Sequence, residues 1–197
     1  QLDVLLLRSL DSEYSVGLYS AALRLTVPLS IIPQALITTI FPLIVRGREM
    51  GSTSTMPATR LVYKILFLFS FAISFIITFK AEHIIRLIFG SEYAEAYLPM
   101  TILFWSILFT YFNTFTLNLL TVYNKQKYNF FGTLLIVVVQ VVLVVILTKV
   151  YSYTGVAIAR VAAGAAGTIF FIFILRGIGI EFNFFSIRVT KWLFPLV

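Results

Sequence analysis

"VGLYSAALRLTVPLSIIPQALITTIFPLIV", Val16 to Val45, runs for thirty residues with one charge, Arg24, and three prolines, Pro28, Pro33 and Pro42. A bilayer core about 30 Å thick takes roughly 20 apolar residues per helix, so the stretch is long enough to cross one. An arginine near the middle of such a helix costs about 2.5–3.5 kcal/mol on insertion scales and needs polar surroundings. Steps of three and four from Gly17 collect Ala21, Arg24, Pro28, Ile31, Ala35, Thr38 and Pro42, with Ser20 and Gln34 nearby. Leu18, Leu25, Leu29, Ile32 and Leu36 fall on another side. The small and polar face is therefore expected to turn inward and the aliphatic one outward.

The rest of the chain repeats the theme. Of 197 residues, 60% are apolar and 12% charged, about half the charge of an ordinary soluble domain. Further uncharged runs are Ala96 to Asn124 and Tyr128 to Thr148, with shorter ones at Ile65 to Phe79 and Val161 to Leu175. The fold class expected is all-α, a polytopic membrane bundle of about five complete transmembrane helices with partial ones at both ends. The helices are placed at 1–10 (partial), 15–45, 60–80, 95–123, 128–149, 155–176 and 190–197 (partial). The segment 81–93, "AEHIIRLIFGSEY", alternates charge with apolar residues, as an interfacial helix does. Gln1 begins as though inside a helix and "KWLFPLV" closes as another opens, so residues 1–197 are read as a single bundle belonging to a longer protein.

Lys and Arg sort onto alternate connections. Arg46, Arg48, Arg60, Lys64, Lys125, Lys127, Arg176, Arg188 and Lys191 fall in one set, and Arg8, Lys80, Arg86 and Lys149 in the other. Nine against four puts the first set in the cytoplasm by the positive-inside rule. The net charge of +7 thus reflects topology, with no basic stripe interleaved with aromatics to suggest nucleic acid. Cysteine is absent and His83 is the one histidine, which excludes disulfides and thiolate metal sites and speaks against a metal centre or cofactor. No phosphate-binding glycine loop or inward carboxylate pair is present, which reads against an enzyme.

Binding candidates are the polar groups at membrane depth. Asp3 precedes Leu10 by seven residues and Arg24 follows Gly17 by seven, about 10 Å on each helix, so an Asp3–Arg24 ion pair is geometrically accessible. Such a pair could simply fix packing; alternatively Arg24 meets an anionic substrate or snorkels to the interface. Arg160 lies in "TGVAIARVAAGAAGTIF", where Ala159, Ala163, Gly164 and Gly167 offer a close-packing surface. It either reaches back to the outer headgroups or lines a cavity. On the fourth segment Ser106, Thr110, Asn113 and Leu117 recur at helical spacing with Asn118 and Thr121 beside them, either interhelical glue or a cavity lining. Gln34, Asn113 and Asn118 join Asp3, Arg24 and Arg160 as candidate cavity residues.

Three ordered stretches resemble the polysaccharide flippases, the O-antigen-type exporters of the multidrug/oligosaccharidyl-lipid/polysaccharide superfamily. They are "LDVLLLRSLDSEYSVGLYSAALRLTVPLSIIPQALITTIFPLI" (Leu2 to Ile44), "AEHIIRLIFGSEYAEAYLPMTILFW" (Ala81 to Trp105) and "YSYTGVAIARVAAGAAG" (Tyr151 to Gly167). The resemblance implies twelve to fourteen helices in two related halves, this chain forming much of the second and lacking the N-terminal half. It also implies translocation of an undecaprenyl-diphosphate-linked oligosaccharide across the plasma (inner) membrane by alternating access around a cationic cavity. Guanidinium groups suit a diphosphate, and Arg24 within "YSAALRL" is the first choice, with Arg160 second. The expected partners are that lipid-linked substrate and membrane lipid, not nucleic acid. A cation-coupled drug or metabolite antiporter of the same superfamily, and a membrane polymerase or ligase of polysaccharide assembly, are the alternatives.

Overall fold

A computed structural model describes residues 2–49 and 55–178. The expected partial helix 190–197, with Arg188 and Lys191, lies outside them. Every described element is helical: α1 (Leu2–Leu10), α2 (Glu13–Thr26), a 3₁₀ turn (Val27–Ser30), α3 (Ile31–Glu49), α4 (Thr55–Phe89), a second 3₁₀ turn (Ser91–Ala96), α5 (Tyr97–Val122) and α6 (Gln126–Gly177). Four stretches are long and apolar enough to cross a membrane: Glu13–Arg46, Thr59–Phe89, Ser91–Val122 and Gln126–Gly177. The chain is an all-α membrane bundle.

The last of these counts twice. At 1.5 Å per residue the 52 residues of α6 would extend about 78 Å, more than two bilayer cores. Ser152, at φ 50° and ψ −135°, breaks the helical path, and the two arms fold back on each other. Their antiparallel register shows in the glycines: a Cβ on Gly132 would lie 2.3 Å from Phe171, one on Gly167 2.4 Å from Ile136, and one on Gly155 2.4 Å from the Leu147 carbonyl oxygen. Each glycine removes a side chain where the other arm passes, as close helix contact without a hydrophobic drive in lipid requires.

At the start of α2, Ser12 is the N-cap and its hydroxyl accepts from the Ser15 amide at 3.2 Å, which sets the helix start at Glu13. Pro28 then enters a 3₁₀ turn, so the expected 15–45 helix is two rods joined by Val27–Ser30. Residues 81–89 continue α4 without a break, in place of the separate interfacial helix read from 81–93. With 35 residues, α4 reaches about 52 Å and carries its exposed Arg86–Glu82 pair, 2.8 Å apart, past the apolar core.

α5 is the central rod, in contact with α2, α3, α4 and α6, while α1 lies on α2 and α6. Its inner surface includes Met100, Leu103, Phe104, Ile107, Tyr111 and Phe115, all buried. Phe71, Phe75, Ile76 and Phe79 of α4 and Phe130, Leu134, Val138 and Val142 of α6 are exposed. This apolar belt is the inverse of a soluble surface and is what lipid solvates. The turn at residues 11–12, the Ser91–Ala96 turn and the Ser152 reversal gather at one end through Ser15–Ser152 (3.1 Å) and Tyr153–Glu95 (3.2 Å).

Candidate functional site

Among the described residues, the most deeply buried charge cluster joins three helices. Asp3, 5% exposed, accepts from the Arg160 Nη1 at 2.8 Å and from the Tyr19 hydroxyl at 2.8 Å, both on Oδ2. Tyr19 is fully buried, and the Arg160 side chain is a third exposed. Counting from the shared end, Asp3 is eight residues before Asp11, Tyr19 seven after Ser12 and Arg160 eight after Ser152. All three therefore lie about 10–12 Å inward. That common depth lets one carboxylate take two charge-assisted hydrogen bonds where water is scarce.

The Asp3–Arg24 pair expected from the sequence is not formed. That expectation measured Arg24 from Gly17, whereas α2 begins four residues earlier, at Glu13. Arg24 is twelve residues from its cap, about 18 Å, and overshoots Asp3 by roughly a turn. Arg160 sits at the matching depth and takes its place.

The outward face of the α2–α3 rod is the second correction. Leu18 is buried, and Leu25, Leu29, Ile32 and Leu36 pack against the core. Arg24, Pro28, Ala35, Thr38 and Pro42 are exposed. The aliphatic face wins the bundle contact because it fills the space between α4 and α5 with more dispersion contacts than small and polar side chains could supply. Arg24 makes no hydrogen bond or ion pair with the described residues, and Gln34 is also exposed.

Beside the triad lies a cavity of ≈ 110 Å³ lined by Thr26, Val27, Ser30, Ser106, Thr110 and Arg160, among others. Its hydroxyls donate to carbonyls of their own helices: Thr26 to Ala22, Ser30 to Val27, Ser106 to Leu103 and Thr110 to Ser106. Their oxygens retain lone pairs that face the cavity as acceptors. With the Arg160 guanidinium on the same wall, the cavity sets these polar groups in a mainly apolar lining and is roomy enough for a few waters.

Comparison with protein-family models, with curated proteins and with solved structures gives no match to this chain. The site is therefore described by its own geometry.

Asn113 and Asn118 stand apart from this cluster. Asn113 donates from Nδ2 to the Gly164 carbonyl at 3.0 Å and accepts on Oδ1 from the Thr168 hydroxyl at 2.9 Å, so both ends of its amide bind the second arm of α6. Asn118 donates to Thr114 of its own helix at 2.8 Å. The close approach at Arg160 is real as well: Ala159 and Ala163 are fully buried, and a Cβ on Gly164 would meet that of Phe109 at 2.9 Å.

At the membrane end, Asp11 accepts from the Ser12 amide at 2.7 Å and from the Ser152 hydroxyl, and Ser15 completes the cluster. The Ser152 hydrogen bond, the largest influence, holds the Asp11 carboxyl below its usual range, with burial opposing. Two residues in these clusters escaped the sequence reading, Tyr19 and Ser152. Tyr19 was legible only after its depth was counted from Ser12. Nothing in "VYSYTG" distinguishes Ser152 as the residue that takes the positive φ.

Proposed function

We propose that the chain is one lobe of a transporter that carries an undecaprenyl-diphosphate-linked oligosaccharide across the plasma membrane, for cell-surface polysaccharide assembly. The observation that carries the reading is Arg24, an exposed guanidinium without a partner among the described residues, about 18 Å along α2 from its cap. Hydrocarbon does not solvate it at that depth, so a second lobe or a wet cavity must cover this face. An arginine left unpaired in such a place is a receptor for an anion, and a diphosphate offers it bidentate oxygens.

Arg160 has a different part in this reading. Its charge is already balanced by Asp3, so it shapes and wets the cavity while Arg24 supplies the net positive charge. The basic end of the bundle, with Arg46, Arg60, Lys64, Lys125, Lys127 and Arg176 at helix termini, is the cytoplasmic one. A cation-coupled antiporter would need a carboxylate free to exchange its ion. Asp3 is committed to Arg160 and Tyr19, which favours the flippase reading over that rival.

The test is Arg24→Ala in the full-length protein, scored for surface polysaccharide and for membrane insertion. Loss of polysaccharide with normal insertion is expected, and Arg24→Lys separates charge from fork geometry. Normal export by Arg24→Ala removes this residue from the mechanism.

A further inference from the structure

At the join between α2 and α3 the helical hydrogen-bond ladder gives way to a 3₁₀ turn. In a continued α-helix the Leu29 carbonyl would accept the amide proton of residue 33, and Pro33 has none. Pro28 likewise withholds the amide proton due to the Arg24 carbonyl. Two prolines five residues apart thus strip the ladder on both sides of Val27–Ser30. The Ile31 amide is shared between the Pro28 and Leu29 carbonyls, too local a contact to replace the missing turn. A stronger donor reaches Leu29 from another helix: the Tyr111 hydroxyl of α5, at 2.6 Å.

Tyr111 is placed to hold. Its side chain is almost completely buried and stacks in parallel on Phe69 of α4, ring centroids 6.5 Å apart. The ring is thus fixed to the central rod, and only its hydroxyl crosses to the hinge. A carbonyl left unbonded at this depth is costly, so the bond biases the setting of the joint. Val27 and Ser30 of the hinge and Tyr111 itself line the Arg160 cavity, so the joint forms part of that cavity's wall.

We propose that Tyr111 is the positioning residue of a proline hinge, its hydroxyl standing in for the amide proton that Pro33 lacks and holding α3 in one setting against α2. The proposal goes beyond the transport reading and does not depend on which molecule the site receives. Loss of the bond frees α3 to swing about Val27–Ser30 and opens the cavity wall.

Spin labels can read the angle directly, because the chain has no cysteine of its own. Labels at Tyr14→Cys and Thr39→Cys, both exposed positions, bracket the joint across 25 residues, about 37 Å if straight. Pulsed electron–electron resonance on the full-length protein in nanodiscs is expected to give one narrow distance for Tyr111. With Tyr111→Phe, which keeps the ring, the distribution broadens. In a Pro33→Ala background the backbone again supplies a donor to Leu29, so adding Tyr111→Phe leaves the distribution unchanged. An unaltered distribution in Tyr111→Phe, or an equal change in both backgrounds, overturns the proposal. If Tyr111→Phe alone does not fold, the Pro33→Ala/Tyr111→Phe pair is expected to do so, and its failure is equally fatal. Transport assays take no part in this test, so its result stands apart from that for Arg24.

Discussion

Replacing Asp3 by asparagine keeps the side chain's shape but removes its charge, leaving the Arg160 guanidinium, a third exposed, facing a neutral amide. Breaking a fully buried ion pair costs about 3–5 kcal/mol, and the partial exposure of Arg160 lowers this to about 2 kcal/mol. Arg160→Gln is the harsher change, at about 3 kcal/mol, because it strands a carboxylate that is only 5% exposed. Tyr19→Phe removes one hydrogen bond to that carboxylate, 2.8 Å long, at about 1 kcal/mol. The Asp3→Asn/Arg160→Gln pair strands no charge, so its loss falls short of the sum by about 2 kcal/mol, well above the roughly 0.5 kcal/mol within which independent sites add. Unfolding by SDS titration in mixed micelles measures all four variants. Arg24→Gln serves as the control and is expected to add independently to Asp3→Asn. Additivity at Asp3 and Arg160, or coupling between Asp3 and Arg24, would refute the assignment of the pair.

Two further outcomes test the packing. Gly155→Ala drives a Cβ to 2.4 Å from the Leu147 backbone carbonyl, which cannot swing aside, and should cost about 1–3 kcal/mol in the same titration; Gly17→Ala, whose nearest neighbour is Tyr93 at 3.9 Å, should be neutral or gain up to about 1 kcal/mol from helix propensity. Asn113→Ala loses two bonds to the second arm of α6 and should cost about 1–2 kcal/mol, whereas Asn118→Ala, bonded within its own helix, should stay within about 0.5 kcal/mol, and thermal stability in detergent separates the two.

The membrane class and the helical architecture were legible because hydropathy is a sum over twenty residues and tolerates local error. The candidate site depended on register, which is not. A four-residue displacement in the start of α2, from Glu13 to Gly17, moved Arg24 by about 6 Å and gave Asp3 the wrong partner. The facing of α2 and α3 was misjudged for a different reason. Sequence periodicity separates a leucine face from an arginine face, yet in a membrane protein it does not say which one meets the neighbours, since lipid and core are both apolar. Leu18 and Leu29 face the bundle, while Phe71 and Phe75, no less apolar, face outward. The Tyr111–Leu29 bond links residues 82 apart, and no local pattern announces it.

Two arginines at membrane depth meet the same electrostatic problem in opposite ways, and on the transport reading proposed above the difference decides which of them receives an anion. Arg160 is neutralised inside the chain by a carboxylate from α1 at the same height, so an anion approaching it must compete with Asp3 at 2.8 Å. Arg24 has no such competitor among the described residues, and the exposed surface around it mixes Pro28, Ala35 and Thr38 with the aliphatic Val27 and Ile31. A charge with neither partner nor solvent is untenable there. On the transport reading proposed above, the α2–α3 face takes a covering group, from a second lobe or from substrate, and Arg24 on α2 stands three residues before the Val27–Ser30 turn to which Tyr111 bonds. The charge on α2 and the proline-weakened join to α3 thus lie side by side, the combination on which the proposed alternating access would draw.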